Sequence, residues 1–327
     1  MISQAARSLG QIHTDANPFH FRAFQDWAKR ADLPSAAVLE PFAGMGKLIT
    51  HLQDVKLCQS YAAFDIQPRR SDVVIRDCFT DFPKGFHVCI TNPPWLAKNS
   101  ATLRRLPYPD CGYDDLYKFA LHLCLHHCPY VAALVPEAFI RSGLFLHRLQ
   151  AFISINSSLF RQTNHPTGLA LFGPNPEEGQ LCRDIDLWAD DRYLGGYYQL
   201  YRQYVPPLSA DISRIRFNRP DGNLGLIAYD LVSGPSIRFC APEEIEGYQI
   251  KPSSRFITRI AIEDSIPPLS DLNQQLATFR QRTSDVFLTS YRGLRKDGAY
   301  RRRMDFRLAR RLLQASVISS TSAQGGT

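Results

Sequence analysis

The 327-residue sequence has no run of eighteen apolar residues, so no membrane partner and no membrane-spanning helix are expected. Its eight cysteines form no CxxC pair and no small-domain framework. Reduced thiols in a cytosolic protein are the expected state. The start, Met1-Ile2-Ser3-Gln4, lacks a charged-then-apolar signal pattern. No internal repeat is visible. What is present is a 44% hydrophobic content over a length sufficient for two domains. The net charge of +7 and a pI near 9.0 favour a polyanionic partner.

The first half reads as alternating strands and helices. Phe21, Phe24 and Trp27 recur at helical spacing within a first helix over 17–30. A short apolar strand over 36–39 runs into Glu40-Pro41-Phe42-Ala43-Gly44-Met45-Gly46, with a helix expected from Lys47 to Leu52. Further strands are expected at 61–64, 73–75, 88–90, 130–135, 151–155 and 169–172, with a mobile loop at 98–112 and a helix at 144–149. This rhythm predicts an α/β fold, a doubly wound and mostly parallel seven-stranded sheet. Gly173-Pro174-Asn175-Pro176 is a linker signal. It divides the chain into a domain at 1–175 and an α+β domain at 176–327. No βαβ rhythm is seen in the second half before a C-terminal helix at about 305–315.

Three turns at strand ends carry chemistry. In His87-Val88-Cys89-Ile90-Thr91-Asn92-Pro93-Pro94-Trp95, two prolines fix φ and remove two donors, while Asn92 is pushed into an extended conformation. A stiff corner then presents the Asn92 amide oxygen and a free carbonyl beside the Trp95 ring. Paired acceptors next to an aromatic face suit an exocyclic amino group on a planar base. The alternative reading is a proline-rich turn with a core tryptophan. At the first turn, Gly44 and Gly46 allow close backbone approach. A phosphate loop would not place an acid and an aromatic before its glycines; the Glu40 carboxylate instead attracts an amine or a cation. Asp65, about twenty residues on, ends the next strand, where an acid takes the two hydroxyls of a ribose. A turn aspartate is the plainer alternative.

With these pieces in place, the chain resembles S-adenosylmethionine-dependent DNA methyltransferases that act on the adenine N6 amino group. Residues 40–46 resemble that family's first cofactor motif, Asp65 its ribose acid, Asp77-Cys78-Phe79 its adenine-holding motif, and Asn92-Pro93-Pro94-Trp95 its (D/N/S)PP(Y/F/W) catalytic motif. The cofactor motif precedes the catalytic motif by about fifty residues, which resembles the gamma class, with target recognition C-terminal. The resemblance covers residues 10–173. It implies S-adenosyl-L-methionine held by Thr14, Glu40, Pro41, Phe42, Ala43, Gly44, Gly46, Asp65, Ile66, Asp77, Cys78, Phe79 and Asn92. It implies a base flipped out of double-stranded DNA and stacked on Trp95 and Phe160. The segment around Thr14 lacks the family's TP dipeptide. A restriction endonuclease sharing the target site, in the cytoplasm of a bacterial or phage-infected cell, is the implied setting.

Phosphate contacts are expected of Lys98 and of the basic C-terminal stretch that includes Arg295, Lys296, Arg301, Arg302 and Arg303. A solvated helix face is the alternative. His122, Cys124, His126, His127 and Cys128 lie on different faces of one expected helix, and no metal site is expected there. The rival functional readings are an RNA (rRNA or tRNA) adenine methyltransferase, an amino methyltransferase with another acceptor, and a non-enzymatic nucleic-acid-binding module.

Overall fold

The computed structural model describes residues 16–156, 159, 165–177, 183–208 and 214–324. The chain divides into two compact units between Gly195 and Gly196.

In the first unit, short apolar runs closed by polar or proline-containing turns become parallel strands. β1 (Ala37–Glu40), β2 (Ser60–Asp65), β3 (Val74–Ile75), β4 (Val88–Thr91) and β5 (Tyr130–Pro136) pair in the spatial order β3-β2-β1-β4-β5. β6 (Leu149–Ile155) and β7 (Thr167–Phe172) follow, with β7 running antiparallel between β5 and β6. β8 (Asp186–Ala189) joins β6 in parallel, and β9 (Arg192–Gly196) forms the outer edge. The fold is therefore α/β around a mostly parallel sheet, but with nine strands where seven were expected. The linker signal near residue 175 falls inside this unit, because β8 and β9 extend the sheet beyond it.

The helices cover both faces. α1 (Arg22–Arg30) buries Phe24, Trp27 and Ala28, and α2 (Lys47–Asp54) buries Leu48, Ile49 and Leu52. Both pack into one core with Val88 and Ile90 of β4. Strand side chains alternate faces. Cys89 accordingly points the other way, to Cys124 and Cys128 of α4 (Leu116–His127) and the turn after it. Trp27 is fully buried, and its indole N–H donates to the Phe172 carbonyl at 2.9 Å. This bond ties α1 to the centre of the sheet.

Two segments differ from the sequence expectation. Lys98–Leu103 forms a short helix, α3, rather than a loop. Residues 144–149 do not form a helix: Gly143 and Phe145 have positive φ, and Leu149 opens β6. The Arg148 guanidinium is buried there and donates to the carbonyls of Gly173, Leu125, Cys128 and Pro129.

The second unit has α5 (Tyr197–Tyr204) and a four-stranded antiparallel sheet of β10 (Ile215–Phe217), β11 (Leu224–Ile227), β12 (Arg238–Cys240) and β13 (Ile257–Ile262), ordered β10-β13-β11-β12. α6 (Leu269–Thr283) packs against β12, where the Asn273 amide bonds both the N–H and the carbonyl of Phe239. A hairpin of β14 (Thr289–Leu294) and β15 (Tyr300–Arg303) precedes α7 (Phe306–Gln324). The fully buried Asp230 carboxylate is the hub of this unit. It accepts from Arg280, Arg295, the Ser236 N–H and the Arg302 N–H. Burial alone would raise its carboxyl, but these hydrogen bonds and the Arg280 charge hold it below the ordinary value.

Candidate active site

The chain leaves β1 for β2 and β3, then returns to place β4 on the other side of β1. Strand order reverses at that point, and in open α/β sheets ligands bind outside the carboxyl ends of the strands there. Val38 pairs with Val88 and Leu39 with Cys89. The turn after Glu40 and the turn after Thr91 therefore leave the sheet side by side. A cavity of about 340 Å³ opens at these ends, within the size range of small-molecule sites.

One wall is the glycine turn: Glu40, Pro41, Phe42, Ala43 and Gly44 line the cavity. Gly44 and Gly46 have φ of 53° and 64°, values that side chains tolerate poorly. Gly46 lies outside the cavity lining and caps α2 in the left-handed conformation. Its carbonyl accepts from Arg70 Nη1 at 3.0 Å, and a Cβ added at Gly46 would stand 2.8 Å from that atom. Arg70 is fixed in turn by Asp72 and by Thr50 Oγ1 at 2.9 Å.

Asp65, at the end of β2, also lines the cavity. Its Oδ2 accepts the Gly44 N–H at 2.7 Å and its Oδ1 accepts the Gln67 N–H at 2.7 Å. The carboxylate thus sets the shape of the glycine turn. An ionised carboxylate has about four lone-pair sites, so acceptor capacity remains for a ligand hydroxyl.

Glu40 is 1% exposed. Among the described residues its Oε2 has no hydrogen-bond partner. Burial, and secondarily the Asp65 charge, push its carboxyl well above the ordinary value against the opposing Arg70 charge. An uncompensated buried carboxylate is costly. A ligand cation in the cavity would relieve that cost.

Ile66, Asp77, Cys78 and Phe79 form another part of the lining. The Phe79 N–H donates to Asp77 Oδ1 at 3.0 Å, and its ring packs between Phe42 at 5.0 Å and Phe119 at 5.4 Å. Ile66 is 59% exposed, an apolar surface presented at the cavity rim. Cys78 is buried, and burial pushes its thiol up to about 12. It serves as wall, not as a nucleophile.

Of the asparagine–diproline corner, Asn92 and Pro94 line the cavity. Pro93 is buried. Trp95 lies outside the lining; it is half-buried, packs against the core and meets His165 edge-on at 6.0 Å. The corner is anchored from behind. Leu116 N–H donates to the Leu96 carbonyl at 3.1 Å, Lys98 N–H to Asp114 at 2.8 Å, and Ala97 bridges Asp115. Asp115 caps α4, and burial pushes its carboxyl up to about 6.

The cavity thus gathers eleven of the thirteen residues expected to hold the cofactor, all but Gly46 and Thr14. Thr14 and the base-stacking candidate Phe160 lie outside the described residues. Sequence reasoning missed Met45, Lys47, Leu48, Gln67, Arg76 and Leu116. Four of these flank motif residues directly, and Leu48 lies two residues past Gly46. Leu116 arrives through the fold, at the start of α4, with no local signal.

The basic residues behave differently from expectation. The second unit, from Gly196 onward, carries 19 Lys and Arg against 12 Asp and Glu; the first carries 19 of each. The whole excess lies in the second unit. Yet Arg295 and Arg302 are turned inward. The Arg295 side chain is 10% exposed and pairs with Asp230 at 3.0 Å and Asp297 at 2.8 Å, and Arg302 is 8% exposed. For Arg295 the expected phosphate contact is corrected to an internal one, because the buried Asp230 carboxylate holds its guanidinium, whereas Arg302 gives Asp230 only its backbone N–H while its side chain is buried. Lys98 and Lys296 are exposed. Arg301 and Arg303 lie over aromatic rings. No cluster of three or more His, Cys, Asp or Glu able to hold a metal occurs among the described residues. No described helix is long and apolar enough to cross a membrane.

No family model and no curated protein matches the chain. Solved structures similar to it include a protein of Listeria monocytogenes assigned to the class I S-adenosylmethionine-dependent methyltransferases, at 11% identity and a TM-score of 0.40, over 55% of this chain and 67% of that one. Another is the methyltransferase subunit of a type I restriction-modification system from Streptococcus thermophilus, at 13% identity and a TM-score of 0.35. The match covers 75% of this chain but only 56% of that subunit. A third is a Pyrococcus horikoshii protein assigned as an RNA methyltransferase, at 12% identity and a TM-score of 0.31, over 52% of this chain and 97% of that one. At these distances the likenesses carry no conclusion about activity or substrate.

Proposed function

We propose that the chain is an S-adenosyl-L-methionine-dependent methyltransferase acting on the exocyclic N6 amino group of adenine in DNA. The observation that carries this reading is the convergence of two turns on one cavity: the acidic glycine turn after β1 and the Asn92 corner after β4. The buried Glu40 oxygen fits the ammonium group of the cofactor's methionine part. Asp65 fits the ribose hydroxyls, and Ile66 and Phe79 fit the two faces of its adenine. When bound, the cofactor supplies an electrophilic methyl group on a sulfonium.

The chain's own residues supply position and polarity. An adenine amino nitrogen is a poor nucleophile because its lone pair is delocalised into the ring. In the proposed mechanism the Asn92 side-chain oxygen and the Pro93 carbonyl accept its two hydrogens and draw the nitrogen toward a tetrahedral geometry. Pro94 keeps the corner rigid, and Trp95 stacks on the base. Such chemistry is impossible inside a duplex, so the base is flipped out. No strong base is required, since the ammonium formed on the product is highly acidic.

The all-basic excess of the second unit supports a role in holding the polyanion. An endonuclease sharing the target site is the proposed partner. Transfer of a labelled methyl group to duplex DNA but not to RNA, located by reading the modified base, tests the proposal. Equal or exclusive labelling of RNA would favour the RNA adenine methyltransferase reading instead.

A further inference from the structure

The second unit contains a cavity of its own, of about 500 Å³, distant in sequence from every motif used above. Aromatic side chains and arginines build it. Tyr229 and Phe256 meet edge-to-face at 5.4 Å, and Phe256 meets Tyr291 at 6.3 Å. The Arg301 guanidinium lies 4.8 Å from the Tyr291 ring centre and 5.8 Å from that of Tyr229. Arg303 lies over Phe256 at 5.9 Å. The Asp230 carbonyl, accepting from Arg301 Nε and from the Tyr291 hydroxyl at 2.9 Å each, fixes both groups in place.

Two features separate this arrangement from an ordinary core. Phe256 remains 49% exposed and Tyr248 54% exposed, although both line the cavity. Large rings left in water beside cations form a surface that suits a planar ligand. The lining also contains Arg255 and Arg301 and no acidic side chain. A neutral aromatic ligand would leave these cations without a partner, whereas an anion attached to a planar ring satisfies both parts. Aromatic faces beside arginines are the chemistry by which unpaired nucleotides are held without regard to sequence.

We infer that this cavity is a second nucleotide site: it holds an unpaired base of a nucleic-acid strand against Phe256 and Tyr248, with the adjoining phosphate at Arg255 and Arg301. Gln249 offers a donor and an acceptor to the edge of that base. The site lies in the unit that holds the entire positive excess. It stands on geometry separate from the cofactor cavity, so it does not depend on the methyltransferase reading.

The test uses the full chain and short fluorescent oligonucleotides of DNA and of RNA, single-stranded or fully paired. The Tyr248→Ala/Phe256→Ala double variant replaces exposed rings only, and Arg255→Ala removes an exposed cation. Each should weaken single-strand binding at least tenfold while changing duplex binding less than threefold. The dissociation constant for S-adenosylmethionine, measured by calorimetry, should stay unchanged and report an intact first unit. A strand carrying 5-iodouracil should crosslink on irradiation to Tyr248 or Phe256. The DNA and RNA arms identify the source of the strand. Unchanged single-strand affinity in the double variant, or crosslinks confined to other residues, would overturn the inference. Failed methyl transfer with intact single-strand binding would instead overturn the proposed function alone.

Discussion

The Asp65 carboxylate accepts the Gly44 amide at 2.7 Å, joining the end of β2 to the glycine turn after β1. The residue thereby shapes the turn, and in the proposed function its remaining lone pairs take the ribose hydroxyls. Asp65→Ala removes a charge-assisted bond worth about 1.5–3 kcal/mol. S-adenosylmethionine affinity in calorimetry should fall by about tenfold or more. Asp65→Asn keeps an acceptor for Gly44 and should fall less. Equal losses in both variants would mean that the charge, not the turn geometry, dominates.

Glu40 gives a pH prediction. Burial raises its carboxyl, so the folded state binds that proton more tightly than the unfolded state does. Its favourable contribution is complete below the unfolded value of about 4.3 and is lost as pH rises through the raised folded value. Glu40→Gln should therefore make the ligand-free protein more stable at neutral pH in denaturant titrations. The same variant should bind S-adenosylmethionine about tenfold more weakly. The trade between the two effects is the signature of a carboxylate kept for a ligand cation.

Gly46→Ala places a Cβ where φ is 64° and where Arg70 already stands. A loss of about 1–2 kcal/mol in stability is expected from the backbone alone. Lowering Arg70 to Ala in the same chain should not rescue it, since the strain lies in φ. Full rescue would show that crowding by Arg70 was the cause.

Asp230→Ala leaves Arg280 and Arg295 without their shared buried partner. Removing one member of a buried ion network costs about 3–5 kcal/mol. Denaturant unfolding should show that loss, while S-adenosylmethionine binding, proposed for the first unit, should survive in the folded fraction.

The parallel half of the sheet was legible because each strand ended in a distinctive turn. Glu40 to Gly46, Asp65 and Asn92 to Trp95 stand at strand ends in both the sequence and the structure. Their convergence rests on strand order, which the local pattern does not contain. β8 and β9 were missed because the prolines and glycines at 173–179 read as a boundary, while the sheet continues past them. α6 carried a readable signal, Leu272, Leu276 and Phe279 at four- and three-residue spacing, masked by its polar surroundings. The inward turn of Arg295 and Arg302 was not legible. For Arg295 it depends on Asp230, 65 residues earlier in the chain.

The central claim is that Asn92 presents its side-chain oxygen to a nucleobase amine beside the cofactor cavity. Asn92→Ala, assayed for methyl transfer to duplex DNA and for S-adenosylmethionine binding in parallel, tests it most directly. The account predicts cofactor affinity largely retained, with methyl transfer reduced far more, by at least about a hundredfold, the range lost when one oriented hydrogen-bonding group is removed from a transition state. Turnover close to that of the wild type would contradict it.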